Sequence, residues 1–218
     1  MEEVHEFCAR VLGRGDAADR AAVHAHASGG DDRVERLAAA ATACRAATEP
    51  GGPEAAPEPG AGESERLAET VARELAAATA RLPQRQREAL ALRELLRLSY
   101  DQIARVMGIQ PVAVAPLLAR ARLQLRAQLR GVADPVTECP QRDRTQRACA
   151  QRQDVETLGA DDVSWLLEHL GECPACKRDH AAMLEGSVCY RAWEVVDRPR
   201  GSDPDGRGGQ PAGAQTAQ

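Results

Sequence analysis

Apolar residues along this chain recur at three- and four-residue intervals, the spacing that gathers side chains on one face of a helix. "VHEFCARVL" sets Val4, Phe7, Cys8, Val11 and Leu12 on one side, and "DDRVERLAAAATACRAA" predicts an alanine-rich helix capped by Asp31 or Asp32. Between them residues 13–30 are weakly apolar and end at Gly29-Gly30. Residues 49–64, rich in Pro, Gly and Glu, predict a disordered linker with no means of packing. Periodicity resumes at residue 65. Residues 66–81 place Leu67, Val71, Leu75 and Ala78 at helical spacing, Pro83 interrupts, and residues 84–97 place Ala89, Leu92, Leu95 and Leu96 on one side. Ser99 caps "YDQIARVM", Gly108 supplies a left-handed turn, and a last helix is predicted from about Pro111 to Leu129. A second ordered stretch covers roughly 137–197, and residues 198–218 read as a disordered tail. The fold class expected is all-α.

Composition narrows this further. The aromatic residues are Phe7, Tyr100, Trp165, Tyr190 and Trp193, so any core is aliphatic, which suits helices packed through Leu, Val and Ala. No apolar run is long enough for a bilayer, and Glu2, Glu3 and Glu6 are unlike a signal peptide. A cytoplasmic protein is expected, its 7 cysteines reduced or bound to metal. Charge is segregated. Residues 1–65 carry 6 Arg against 13 acidic residues, residues 66–130 carry 12 Arg against 5, and residues 131–198 carry 8 basic against 13 acidic. A basic middle between acidic flanks fits a nucleic-acid or polymerase-facing module, and equally an intramolecular clamp.

The short helix, glycine turn and longer helix of residues 99–130 form helix-turn-helix grammar. Leu82-Pro83, Arg85-Gln86-Arg87, Leu98-Ser99-Tyr100, Ile103-Ala104, Gly108-Ile109, Val114, Leu118, Arg120-Ala121-Arg122 and Leu125 fall in register over about 55 residues. On these residues the segment 65–130 resembles region 4 of the bacterial sigma-70 family, in its extracytoplasmic-function branch. The resemblance implies contact with the RNA polymerase core and with promoter DNA through the last helix. Residues 1–48, where "GRGDAADRAAVHAHA" is similar to part of region 2 of that family, are then a shortened region 2, too short and too poor in aromatics to capture an unstacked promoter base.

On the outward face of the last helix, family members carry polar and basic residues. Here stand Gln110, Pro111, Val112, Ala113, Ala115, Pro116, Leu117 and Ala119. Reading bases requires donors and acceptors that reach the groove edges, and only Gln110 offers them. Pro116 lacks an amide hydrogen, so the helix should begin late or bend there. Arg120, Arg122, Arg126 and Arg130 remain as phosphate contacts without sequence readout. Promoter contact is therefore expected to be weak or non-specific. Leu118 belongs to the core, and Leu117 is divided between core and a partner-binding role.

"HLGECPACKRDH" holds His169-x3-Cys173-x2-Cys176. His169 ends an amphipathic helix, and Pro174 starts another, so both thiols sit at a helix N-terminus that favours thiolates. Three soft donors at one helix–turn–helix corner match tetrahedral zinc. The fourth ligand comes from upstream: Cys139, preferred because a polar helix follows it, or Cys149, with His180 as a substitute. Cys8, Cys44 and Cys189 read as small buried groups. "RQDVETLGADDVSWLLEHLGECPACKRDHAAM" resembles the zinc-binding anti-sigma domain, with Asp154-Val155-Glu156 where that family usually has Asp-Gly-Glu. The resemblance implies a structural zinc and helices that wrap a sigma factor.

No constellation for catalysis is present and no small-molecule substrate is expected. Two functional classes follow: a sigma-like regulator masked in cis by its own zinc domain, or an anti-sigma-like protein that binds a sigma factor or polymerase without sequence-specific DNA contact. A redox sensor with the zinc site as its output is a third.

Overall fold

The computed structural model describes residues 2–47, 63–132 and 138–196, and among these every regular element is helical. The N-terminal unit comprises α1 (Glu2–Leu12), α2 (Asp16–Ser28) and α3 (Arg33–Ala46). Asp32 caps α3, accepting from the Val34 and Glu35 amides at 2.8 and 3.2 Å. α2 lies where the sequence pattern was weakest. Its inner face is Ala18, Ala21, Ala22 and Ala25, all buried, so it packs by close backbone approach rather than by large side chains.

The central unit follows as α4 (Glu63–Ala80), α5 (Gln84–Leu90) with a π-helical turn at Ala91–Leu95, α6 (Tyr100–Met107), a 3-10 turn at Pro111–Ala113, and α7 (Val114–Arg130). Residues 63 and 64, assigned to the linker by composition, already belong to α4; the rest of that linker and the C-terminal tail lie outside the described residues. Ser99 and Gln102 form a reciprocal capping box at the start of α6, and Gly108 ends it at φ 63°. The axis then turns by 101° into the segment that becomes α7, within the range of helix-turn-helix pairs. α7 begins late, at Val114, which puts Pro116 in its first turn. The amide hydrogen Pro116 lacks is one of the first four that no helix can satisfy internally, so the helix is not broken.

The C-terminal unit comprises α8 (Arg142–Gln153), α9 (Ala160–Glu172) and α10 (Pro174–Val196). α10 packs along α7 and reaches α4, while α8 packs on both α7 and α10. One apolar cluster joins all three units, with Phe7, Leu37, Leu92, Ile103, Met107, Leu118, Leu166 and Met183 fully closed to solvent. Each such side chain contributes roughly 1.5–3 kcal/mol. A smaller cluster of Leu75, Leu82, Leu90, Leu125, Tyr190 and Trp193 ties α10 to α4 and α7. No single helix among the described residues is long and apolar enough to cross a membrane.

Candidate metal centre and covered helix

Cys139 lies just ahead of α8, His169 in the last turn of α9, and Cys173 and Cys176 at the start of α10. Their ligand atoms all fall within 4.8 Å of one another, with Cys139 Sγ 3.6 Å from His169 Nε2. Tetrahedral zinc with thiolate bonds near 2.3 Å sets ligand-to-ligand separations of about 3.7 Å, so this donor set fits the ion. The Cys173 amide donates to the His169 carbonyl at 2.8 Å, closing the corner between α9 and α10. Backbone amides of Cys176 and Ala175 lower the Cys173 thiol below its usual value, the effect expected at a helix start. Burial pushes the Cys176 thiol up to about 12. Trp165 stacks on His169 at 5.3 Å, with the Arg144 guanidinium 3.7 Å above the indole, which fixes the imidazole plane.

Of the alternatives for the fourth ligand, Cys149 is outside this group. It is buried in the main apolar cluster, and burial pushes its thiol up to about 12. His180, half-buried, has its pKa lowered by burial and by Arg152, and it too is outside the cluster. Cys8 and Cys44 are buried in the N-terminal core.

The basic residues of α7 divide. Gln110 and Arg120 are exposed, and Leu117 is half-buried against the main cluster. Arg122, expected as a phosphate contact, is 0 % exposed. Its Nε and Nη2 donate to Glu94 Oε1 at 2.8 and 2.6 Å, and its two Nη groups donate to Asp154 at 3.0 and 2.6 Å. Burial opposes its charge, but Glu94 and Asp154 more than offset this and hold the guanidinium above its ordinary pKa. In this arrangement the side chain has no path to a phosphate. Arg126 donates to Glu185 Oε2 at 3.1 Å, and Arg130 Nε to Glu185 Oε1 at 2.8 Å.

These carboxylate partners were not expected from sequence. Glu94 also accepts from Ser187 at 2.8 Å and Arg191 at 2.7 Å, so Asp154, Ser187 and Arg191 of the C-terminal unit converge with Glu94 around Arg122. Tyr100 donates its hydroxyl to Asp154 at 2.8 Å, and burial followed by that carboxylate raises its pKa. Gly186 is the one position of α10 where the fit shows directly: a Cβ there would lie 3.0 Å from the Arg122 carbonyl carbon and closer still to its oxygen. A glycine inside a helical pattern was the available signal, because it costs about 1 kcal/mol and needs a packing reason.

With this geometry in place, the comparison with known families is specific to one unit. Residues 72–125 match the family described as Sigma-70, region 4, which is 54 of the 218 residues. The stretch begins within α4 and ends within α7, so it takes in the helix-turn-helix. No curated protein and no solved structure matches the chain. The central unit thus resembles sigma-70 region 4 over about a quarter of the chain, a likeness that supports a role in regulating transcription.

Proposed function

We propose that this chain is a sigma-factor-like regulator of transcription initiation whose region 4 is masked in cis by a zinc-held anti-sigma-type domain, α8–α10. The observation that carries this reading is the pairing of acidic residues in that domain with cations on α7: Asp154 with Arg122, and Glu185 with Arg126 and Arg130. Cys139, His169, Cys173 and Cys176 would hold the ion. A bound zinc supplies cross-links rather than chemistry, since four protein ligands leave no position for water. The three thiols make that cross-link sensitive to oxidation, which gives the mask a route to release. The N-terminal helices are a shortened region 2 in this reading and take no part in melting DNA.

The test is binding of polymerase core and of promoter duplex by the full chain, with and without a zinc chelator. Stronger binding after chelation supports masking. Equal binding in both forms defeats it. A second reading, a protein-interaction regulator that does not engage DNA, is favoured by the exposed apolar residues Pro111, Val112 and Ala113, with Val112 68 % exposed, whereas Ala115 and Ala119, expected on the outward face, are buried. A salt series separates the two, because phosphate binding weakens steeply as salt rises.

A further inference from the structure

Asp154 and Glu156 follow α8 and grip the start of the helix-turn-helix together. Asp154 takes Arg122 on both carboxylate oxygens, Tyr100 Oη on Oδ2, and Arg93 Nε on Oδ1 at 3.2 Å; its carbonyl accepts from Arg93 Nη2. Glu156 Oε1 accepts from the Tyr100 amide at 3.1 Å and from Arg93 Nη1 at 3.5 Å. The donors all belong to the region 4 match, and the acceptors all lie outside it. Forked guanidinium groups and a helix-start amide are donors that suit a carboxylate and a phosphate alike. Arg97, exposed on the adjoining loop, adds charge at the rim, while Glu94 offsets one cation inside.

Between the two gripping residues stands Val155, at φ 57° and 92 % exposed. A β-branched residue in the left-handed region is strained, and at this exposure little packing offsets it. The turn therefore closes less tightly than its hydrogen bonds alone would make it, by about tenfold in the equilibrium.

We propose that the Asp154–Val155–Glu156 turn is a displaceable plug in an anion socket formed by Arg93, Arg122 and the Tyr100 amide, and that the socket's other occupant is a phosphodiester of duplex DNA. This rests on the masking proposed above, because Arg122 becomes reachable only as α8 and α10 lift away. It accounts for a region 4 whose outward helix face offers only Gln110 for reading bases: a backbone contact adds affinity independent of sequence.

The test uses the full, metal-loaded chain and a fluorescent DNA duplex of arbitrary sequence, followed by anisotropy across a salt series. The D154N/E156Q variant should bind at least about tenfold more tightly than the parent, and adding R93Q should remove the gain and lower the salt slope by about one. V155G, which relaxes the plug, should bind DNA about tenfold more weakly than the parent. If D154N/E156Q does not fold, V155G and the chelated chain with and without R93Q carry the same question. DNA binding that rises on chelation but is indifferent to Arg93 overturns the socket and leaves the masking intact. DNA binding unchanged by chelation, by D154N/E156Q and by V155G overturns both.

Discussion

Phe7, Leu37 and Cys44 of the N-terminal helices are sealed into one apolar cluster with Leu92, Ile103 and Met107 of region 4, whereas α8–α10 add to that cluster mainly small groups, Ala148, Ala150 and Ala182, beside Leu166 and Met183. The C-terminal unit packs Tyr190 and Trp193 of α10 on Leu75, Leu90 and Leu125, and adds to that contact a dense set of ions: Asp154 with Arg122 and Arg93, Arg191 with Glu94, Glu185 with Arg126 and Arg130. Polar ties exist on the N-terminal side as well, as from Arg87 to the Val11 carbonyl at 2.7 Å and from Arg45 to Glu88 at 2.8 Å, but they are fewer. Burial of hydrocarbon is indifferent to salt and metal. Paired charges, each desolvated at a cost close to what their attraction returns, are not. The N-terminal contact is thus mainly hydrocarbon, while the C-terminal contact also carries paired charges that salt, acid or loss of a metal can weaken.

Removing the metal is the strongest way to break that contrast. Chelation, or Cys173→Ala, should strip protection from the amides of α8–α10 while those of α1–α3 keep theirs, because a structural zinc site contributes folding free energy outright. Hydrogen exchange with mass readout checks it. Uniform loss along the whole chain would mean that the units do not differ.

A pair of substitutions sharpens the comparison. Phe7→Ala should cost about 3–5 kcal/mol by leaving a cavity in the N-terminal core, with the same loss at low and high salt. Asp154→Ala should cost about 3 kcal/mol by leaving Arg122 and Tyr100 short of a buried partner, and this loss should vanish once the chelator has opened the C-terminal unit. Denaturant midpoints under the four conditions decide between these outcomes.

How far the sequence discloses this arrangement follows from the range of each interaction. The capping box at Ser99, the turn at Gly108 and the candidate ligands His169, Cys173 and Cys176 are local, written within a few residues, and can be read directly. The choice of Cys139 over Cys149 depends on a helix crossing back over 30 residues, so spacing left it open. The burial of Arg122 is not legible in sequence, because helical periodicity shows which residues share a face, not what covers that face. Its partners Glu94 and Asp154 lie 28 and 32 residues away in sequence. α2 is faint in sequence because alanines pack well yet weigh little in an apolar pattern.

Gly186→Leu tests the closeness of the C-terminal closure at a smaller scale. The side chain has no room against the Arg122 backbone, so α10 must shift, at a cost of about 1–3 kcal/mol. Polymerase and DNA binding should rise in the metal-loaded chain without loss of the zinc. An unchanged melting temperature would show that α10 is not seated on α7 in solution.

The smallest effect concerns Glu185 at the edge of the closure. Hydrogen bonding to Arg130, then to Arg126, lowers its carboxyl pKa below the ordinary value. A carboxylate depressed in the folded state stabilises fully above its unfolded pKa, near 4.3, and the contribution fades as pH falls through the lower folded value. Because the pair is partly exposed, Glu185→Gln should cost no more than about 1 kcal/mol near neutral pH, less in high salt. The variant and parent should therefore converge in stability as acid titrates that one group. A difference that persists at low pH would mean that Glu185 acts through packing along α7 and not through its charge.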